Sequence, residues 1–157
     1  MRHITIICLG KLKESFWREA EAEYLKRLSL FAKVEIIELK EESFGEKDAP
    51  DTVRRREAEK LSNALSKQPD DFIIALDEHG KQFSSTDFAK HLDSSMIGPS
   101  ITFIIGGPLG LDKSVLQIAK LKFSLSTLTF THQMVRVFLL EQLYRASMIT
   151  NGRKYHY

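Results

Sequence analysis

Ile101-Thr102-Phe103-Ile104-Ile105-Gly106-Gly107-Pro108-Leu109-Gly110 is the stretch that decides the fold, because an apolar run breaks there into a turn of three glycines and a proline. Five residues are too few for a free-standing helix, and their β-branched and aromatic character reads as a buried strand. Gly106 and Gly107 leave no Cβ between the backbone N–H groups and a neighbour, while Pro108 stiffens the turn. Two readings stand at this point: a tight strand-to-helix connection, or a turn that touches a ligand.

Working outward, the chain alternates strands and helices. His3 to Leu9 predicts a first strand ending at Gly10, and the three- and four-residue spacing of Phe16, Trp17, Ala20, Tyr24, Leu25, Leu28 and Phe31 predicts an amphipathic helix over 15–32. Val34 to Leu39 reads as the second strand, Lys40 to Pro50 as a loop and Asp51 to Ser66 as the second helix. Phe72 to Leu76 is the third strand, with Asp77 to Gly80 as the turn after it, and Ser84 with Asp87 forms a capping box for a helix ending near Ser95. The opening stretch is the fourth strand. A short helix over Asp112 to Ala119, a fifth strand over Phe123 to Thr129 and a long helix from Thr131 to Ile149 complete the order. Strands interleaved with helices predict an α/β three-layer sandwich around a largely parallel five-stranded sheet. The 157 residues suit a single domain, 1–157.

Composition sets further bounds. Apolar residues make up 43% and charged residues 28%, and no apolar run reaches membrane-spanning length. The first ten residues read as a strand rather than a signal peptide, so the expected location is cytoplasmic. Lone Cys8 reads as a core residue. A net charge of +2 neither requires nor forbids a nucleic-acid partner, and Arg54-Arg55-Arg56 reads as a solvated helix face or a phosphate contact.

Ligands in such sheets bind beyond the carboxyl ends of the strands. Three ends converge as candidates: Leu76 with Asp77, Ile105 with Gly106 and Gly107, and Leu125 to Phe130. GGPLG matches neither the dinucleotide fingerprint nor a P-loop, which disfavours both. His3, His79 and His91 show no metal-ligand spacing, and no metal is expected. The last helix is apolar around most of its circumference, which calls for a second apolar surface within the fold or on a partner subunit. The tail Asn151-Gly152-Arg153-Lys154-Tyr155-His156-Tyr157 mixes aromatics, bases and a histidine, a composition suited to stacking on a nucleobase and pairing with phosphate.

LDxxGK from Leu76 to Lys81, IGGPLGL from Ile105 to Leu111, the block LSTLTFTHQMVRVFLLEQLYRA from Leu125 to Ala146 and the terminal YHY together resemble the ribosomal RNA large subunit methyltransferase H family, of the SPOUT class. The resemblance spans essentially the whole chain. It implies methyl transfer from S-adenosylmethionine to N3 of a pseudouridine in large-subunit rRNA of the assembled ribosome, by a homodimer with a C-terminal trefoil knot. The knot departs from the rule that connections do not thread.

By position, the resemblance assigns the cofactor pocket to Leu76, Gly106, Leu125, Ser126, Thr127, Leu128, Thr129 and Phe130, with Leu76, Leu125 and Leu128 as its apolar wall. It also marks His156 as the group that assists proton removal or stacks the base and Tyr155 as the one that positions it. Arg136, Arg145 and Arg153 are expected to contact phosphate or orient the tail, against ion pairing on the helix surface as the alternative. Thr131 stands where relatives often carry proline, and Leu109 where a polar or acidic residue is common. Two rival readings are a non-enzymatic RNA-binding or ribosome-associated factor and a tRNA methyltransferase of the same class, the latter expected to carry an extra RNA-binding segment.

Overall fold

Side chains that alternate along the strands sort the core into two layers. In the computed structural model, which describes every residue except Ser95, Met96, His156 and Tyr157, strand β1 (Arg2–Leu9) sends Ile4, Ile6 and Cys8 to one face of a sheet and Ile7 and Leu9 to the other. The period of two produces this split directly. The remaining elements are α1 (Ser15–Leu28), β2 (Ala32–Leu39), α2 (Pro50–Leu65), β3 (Phe72–Lys81), α3 (Ser85–Asp93), β4 (Ser100–Ile105), α4 (Lys113–Ile118), β5 (Leu121–Phe123) and α5 (His132–Thr150).

The five strands form one parallel sheet in the order β2-β1-β4-β3-β5. Helices α1, α3 and α5 cover one face, where Leu28, Phe88, Leu139, Leu140 and Leu143 pack on Ile6, Ile101 and Phe103. Helices α2 and α4 cover the other, where Ala58, Leu61, Leu65 and Val115 pack on Ile7, Leu9 and Ile104. β4 lies between β1 and β3 and is buried at every position but its first. This is the three-layer α/β sandwich that the sequence predicts.

Several boundaries differ from the sequence expectation. The fifth strand is not Phe123 to Thr129 but Leu121–Phe123, and its alternating continuation leaves the sheet as an exposed loop. Asp77 to Gly80 is not a turn beyond the third strand. It lies within β3 as an irregularity, so that Phe123 pairs with both Leu76 and Lys81. Gly80 is required there: a Cβ on it would stand 2.6 Å from the carbonyl carbon of Lys122. Helix α1 stops at Leu28 because Ala32 already belongs to β2, and Phe16 in its first turn is 58% exposed.

The second apolar surface demanded by the last helix lies largely within the fold. Helix α5 lies on the sheet flanked by helices α1 and α3, burying Val137, Leu139, Leu140, Leu143 and Ala146, while Phe138 remains exposed. Thr131 caps it, its hydroxyl accepting from the Met134 N–H at 3.5 Å. Among the described residues no helix is long and apolar enough to cross a membrane.

Candidate functional site

Parallel register brings the predicted pocket residues to one edge of the sheet. Ala75 pairs with Ile104, so Leu76 stands beside the end of β4, where Gly106 opens the turn, and it pairs on its other side with Phe123 at the end of β5. The loop that follows starts from that same edge. Ser124 Oγ donates to the Ser126 carbonyl at 2.8 Å, and the Leu128 N–H donates to Ser126 Oγ at 3.0 Å, which fixes the first half of the loop.

Leu76 and Leu125 are half-buried against the core, but Leu128 is 69% exposed and lines no wall in this structure. Thr127, Thr129 and Phe130 are exposed as well. Phe130 stacks edge-on against Phe138 of α5 at 5.2 Å. Leu125 and Phe130 also border a cavity of about 250 Å³ with Phe83, Phe88, Glu141 and Gln142.

The glycine turn is held from α2. Gly107 and Gly110 close on each other as an isolated bridge, and Arg54 donates to the Leu109 carbonyl at 3.1 Å while pairing with Asp51. Thus Leu109 contributes its backbone to the turn, and Arg54, expected on a solvated face or a phosphate, is half-buried and engaged by Asp51 and the Leu109 carbonyl. One helical turn further on, Glu57 is 3% exposed, and both its carboxylate oxygens lie 3.3 Å from where a Gly107 Cβ would be. It accepts from the Glu42 N–H at 3.1 Å, and burial pushes its carboxyl above the usual carboxylate range.

The chain reverses its direction of travel across the sheet between β1 and β4, since β1 leads outward to β2 and β4 leads past β3 to β5. A crevice opens beyond the carboxyl ends of such a pair. Gly10 lies on its β1 side with φ +88°, and a Cβ there would meet Glu41 Oε2 at 3.1 Å and His132 Nε2 at 3.2 Å. His132 Nε2 is buried without a hydrogen-bond partner among the described residues, with Glu41 3.9 Å away. Gln133 accepts from the Lys13 N–H at 2.8 Å and ties the start of α5 to the loop after β1.

The tail residues are placed elsewhere. Tyr155 packs edge-on against Tyr144 at 4.9 Å, lies under the Arg145 guanidinium at 4.8 Å and reaches Glu141 at 3.4 Å. Burial, then a hydrogen bond with Tyr24 and the charge of Glu141, push its phenol up to about 12, so at neutral pH it keeps its proton and can donate a hydrogen bond. Arg145 bonds Glu141 at 2.6 Å, and Arg153 lies 5.2 Å above the Phe31 ring. Tyr144 follows His132 by three helical turns, about 18 Å at 1.5 Å per residue, so Tyr155 and the glycine turn are not brought together within one chain. His156 lies outside the described residues.

Arg136 contradicts the expectation of a phosphate contact. It is buried, pairs with both Glu21 and Glu38, and donates to Cys8 Sγ at 3.3 Å. Cys8 is the buried core residue expected; burial pushes its thiol up to about 11. Among the described residues no cluster of three or more His, Cys, Asp or Glu side chains could hold a metal ion. The sequence reading missed Glu57 and Glu41, whose only local signal was the glycine each one faces.

A parallel α/β sheet with a glycine turn, an edge strand running into an exposed loop and a long closing helix defines a SPOUT-type methyltransferase domain, and residues 1–156 match the family described as "Predicted SPOUT methyltransferase". The fold also resembles the crystal structure of tRNA (m1G37) methyltransferase from Aquifex aeolicus, with a TM-score of 0.57 and 14% identity, over 90% of this chain and 69% of that one. The ribosomal RNA large subunit methyltransferase H of Pelotomaculum thermopropionicum is 46% identical over 162 residues, covering 100% of both chains. That of Leuconostoc mesenteroides subsp. mesenteroides is 42% identical, covering 98% of this chain and 99% of its own. This chain belongs to the ribosomal RNA large subunit methyltransferase H family.

Proposed function

We propose that the protein is a single-domain, S-adenosylmethionine-dependent rRNA methyltransferase that methylates N3 of a large-subunit pseudouridine on the assembled ribosome. The observation that carries this reading is the meeting of Leu76, Gly106 and the 125–130 loop at one carboxyl edge, in a chain similar from end to end to relatives of that name. Half-buried Leu76 and Leu125 suit an adenine ring, and the backbone of half-buried Ser126 and exposed Thr127 to Phe130 suits the hydrogen-bonding edge of that ring. The C-terminal trefoil knot belongs to the same proposal, with the loop before α5 threading past the glycine turn.

When bound, the cofactor supplies an electrophilic methyl group on a sulfonium. The protein must align N3 with it and accept the N3 proton as the nitrogen lone pair forms the new bond. We assign the proton to His156 and the placement of the base to Tyr155, held by Arg145. The distance from Tyr155 to the glycine turn within one chain favours a homodimer, in which the tail of one copy serves the pocket of the other. Exposed Phe16, Phe130 and Phe138 supply apolar surface for such contact. A cytoplasmic location goes with a ribosomal substrate.

The test is transfer of labelled methyl from S-adenosylmethionine to ribosomes, separated subunits and free rRNA that lack the modification. Label in a large-subunit pseudouridine, on ribosomes only, is expected. No label on any of them, with no cofactor binding by calorimetry, would favour a non-enzymatic ribosome-associated factor.

A further inference from the structure

We propose that Glu57 is a specificity-determining residue of the methyl-donor site: a fixed negative charge beneath the glycine turn that favours the cationic donor over the neutral product. The inference rests on the cofactor reading above. A carboxylate this deeply buried is ordinarily matched by a cation or by several donors. Among the described residues, Glu57 receives one hydrogen bond, from the Glu42 N–H at 3.1 Å, and forms no salt bridge.

Its placement is equally unusual. Both carboxylate oxygens stand 3.3 Å from the vacant Cβ direction of Gly107, so the charge rests directly against the residue after Gly106. Holding the turn does not require it, because Arg54 already grips the Leu109 carbonyl from the same helix. The nearby cation Lys60 is engaged by Glu42 and by the Lys40 carbonyl, and Lys13 Nζ lies 3.9 Å from Glu41. Among the described residues, Glu57 is thus the carboxylate left without a salt bridge where β1, β4 and α2 meet.

Methyl transfer changes the charge of the cofactor. The S–CH₃ bond breaks with its electron pair left on sulfur, so a sulfonium becomes a neutral thioether while the methyl bonds to the substrate nitrogen and that nitrogen's proton passes to a base. A buried negative charge near sulfur binds the first form more tightly than the second, and in a low-dielectric crevice a unit charge acts over several ångströms. The burial that raises the Glu57 carboxyl above its usual range is the cost that an arriving cation relieves.

Calorimetric titration of wild type and Glu57→Gln with S-adenosylmethionine, S-adenosylhomocysteine and sinefungin, which carries an ammonium in place of the sulfonium, separates charge from shape. Glutamine keeps an acceptor for the Glu42 N–H and a similar volume. The expected result is a fall on the order of tenfold for the two cations, with S-adenosylhomocysteine binding unchanged within about twofold. Equal loss for all three, or no loss, would overturn the proposal. Arg54→Gln, which frees the turn without touching the charge, should weaken all three alike. A wild-type protein that binds none of the three would instead refute the cofactor reading itself.

Discussion

Replacing Gly80 by alanine tests whether the edge of the sheet is built as described. A Cβ at this position would lie 2.6 Å from Lys122 C, 2.7 Å from Phe123 N and 2.8 Å from Lys122 O. All three are backbone atoms of β5, so no side-chain rotation relieves the overlap. Overpacking against mobile side chains costs about 1–3 kcal/mol, and a backbone neighbour places this substitution at roughly 3 kcal/mol. For a domain of this size that is a fall in melting temperature of about 6–12 °C. β5 has only three residues, and Ser124 directly beyond it donates its N–H to the Lys81 carbonyl at 3.0 Å, so the displacement passes into the loop proposed to hold the cofactor. Denaturant unfolding read by circular dichroism, with calorimetric titration of S-adenosylmethionine below the transition, measures both effects. Gly45→Ala is the control: its nearest neighbour is Asp48 Oδ2 at 3.9 Å, and stability within about 0.5 kcal/mol of wild type is expected. A Gly80→Ala protein as stable as that control, with unchanged cofactor affinity, would refute the crossing of β5 over Gly80.

Arg136→Met should cost about 3–5 kcal/mol, because it strands the Glu21 carboxylate beside Glu38, and adding Glu21→Leu should recover most of the loss; denaturant midpoints of the single and double variants decide. The Cys8 thiol should resist thiol-specific reagents at pH 8, since at about 11 its thiolate fraction there is on the order of one in a thousand, and labelling at the rate of a free thiol would contradict its burial. Because folding raises this acid above its ordinary 9.0, its contribution is complete below that pH and is lost as pH rises towards about 11, which a stability profile of wild type against Cys8→Ala would show. His156→Ala should lower turnover on ribosomes by roughly 10²-fold, and a wild-type rate would remove His156 from the proton-transfer role.

Much of the fold was legible because each strand states its environment twice, once in composition and once in period. Ile101 to Ile105 reads as a buried parallel strand and is one, with Thr102 satisfied by Asp71 at 2.6 Å. The errors arose where local pattern and tertiary role diverge. Leu125-Ser126-Thr127-Leu128-Thr129-Phe130 alternates like a strand, yet past Phe123 no neighbouring strand remains to accept its ladder, so its alternation faces solvent. Asp77 to Gly80 has turn chemistry, and it does leave the ladder, but β3 resumes pairing at Lys81 because the glycine lets β5 pass over it. The apolar circumference of α5 was visible; that α1 and α3 supply its second surface was not, since that depends on the order of strands beneath.

The candidate site divides in the same way. Gly106 and Leu76 are found from sequence because strand ends and glycine turns are local signals. Glu57 is not, because a glutamate one residue beyond Arg54-Arg55-Arg56 looks like part of a solvated face, and only the packing of α2 against β1 and β4 removes it from water. The arginines behave conversely: the sequence left a phosphate contact open for Arg54 and Arg136, and in the fold they are engaged by Asp51, Leu109, Glu21 and Glu38. These pairings use up acids as well as cations, and with Lys13 beside Glu41, Glu57 is the crevice carboxylate without a salt bridge among the described residues. On the proposed function, that one buried carboxylate suits the cationic donor, and RNA phosphates would be met by surfaces other than Arg54 and Arg136. On the same proposal, a net charge of only +2 fits recognition of a shaped ribosomal surface better than recognition of naked RNA.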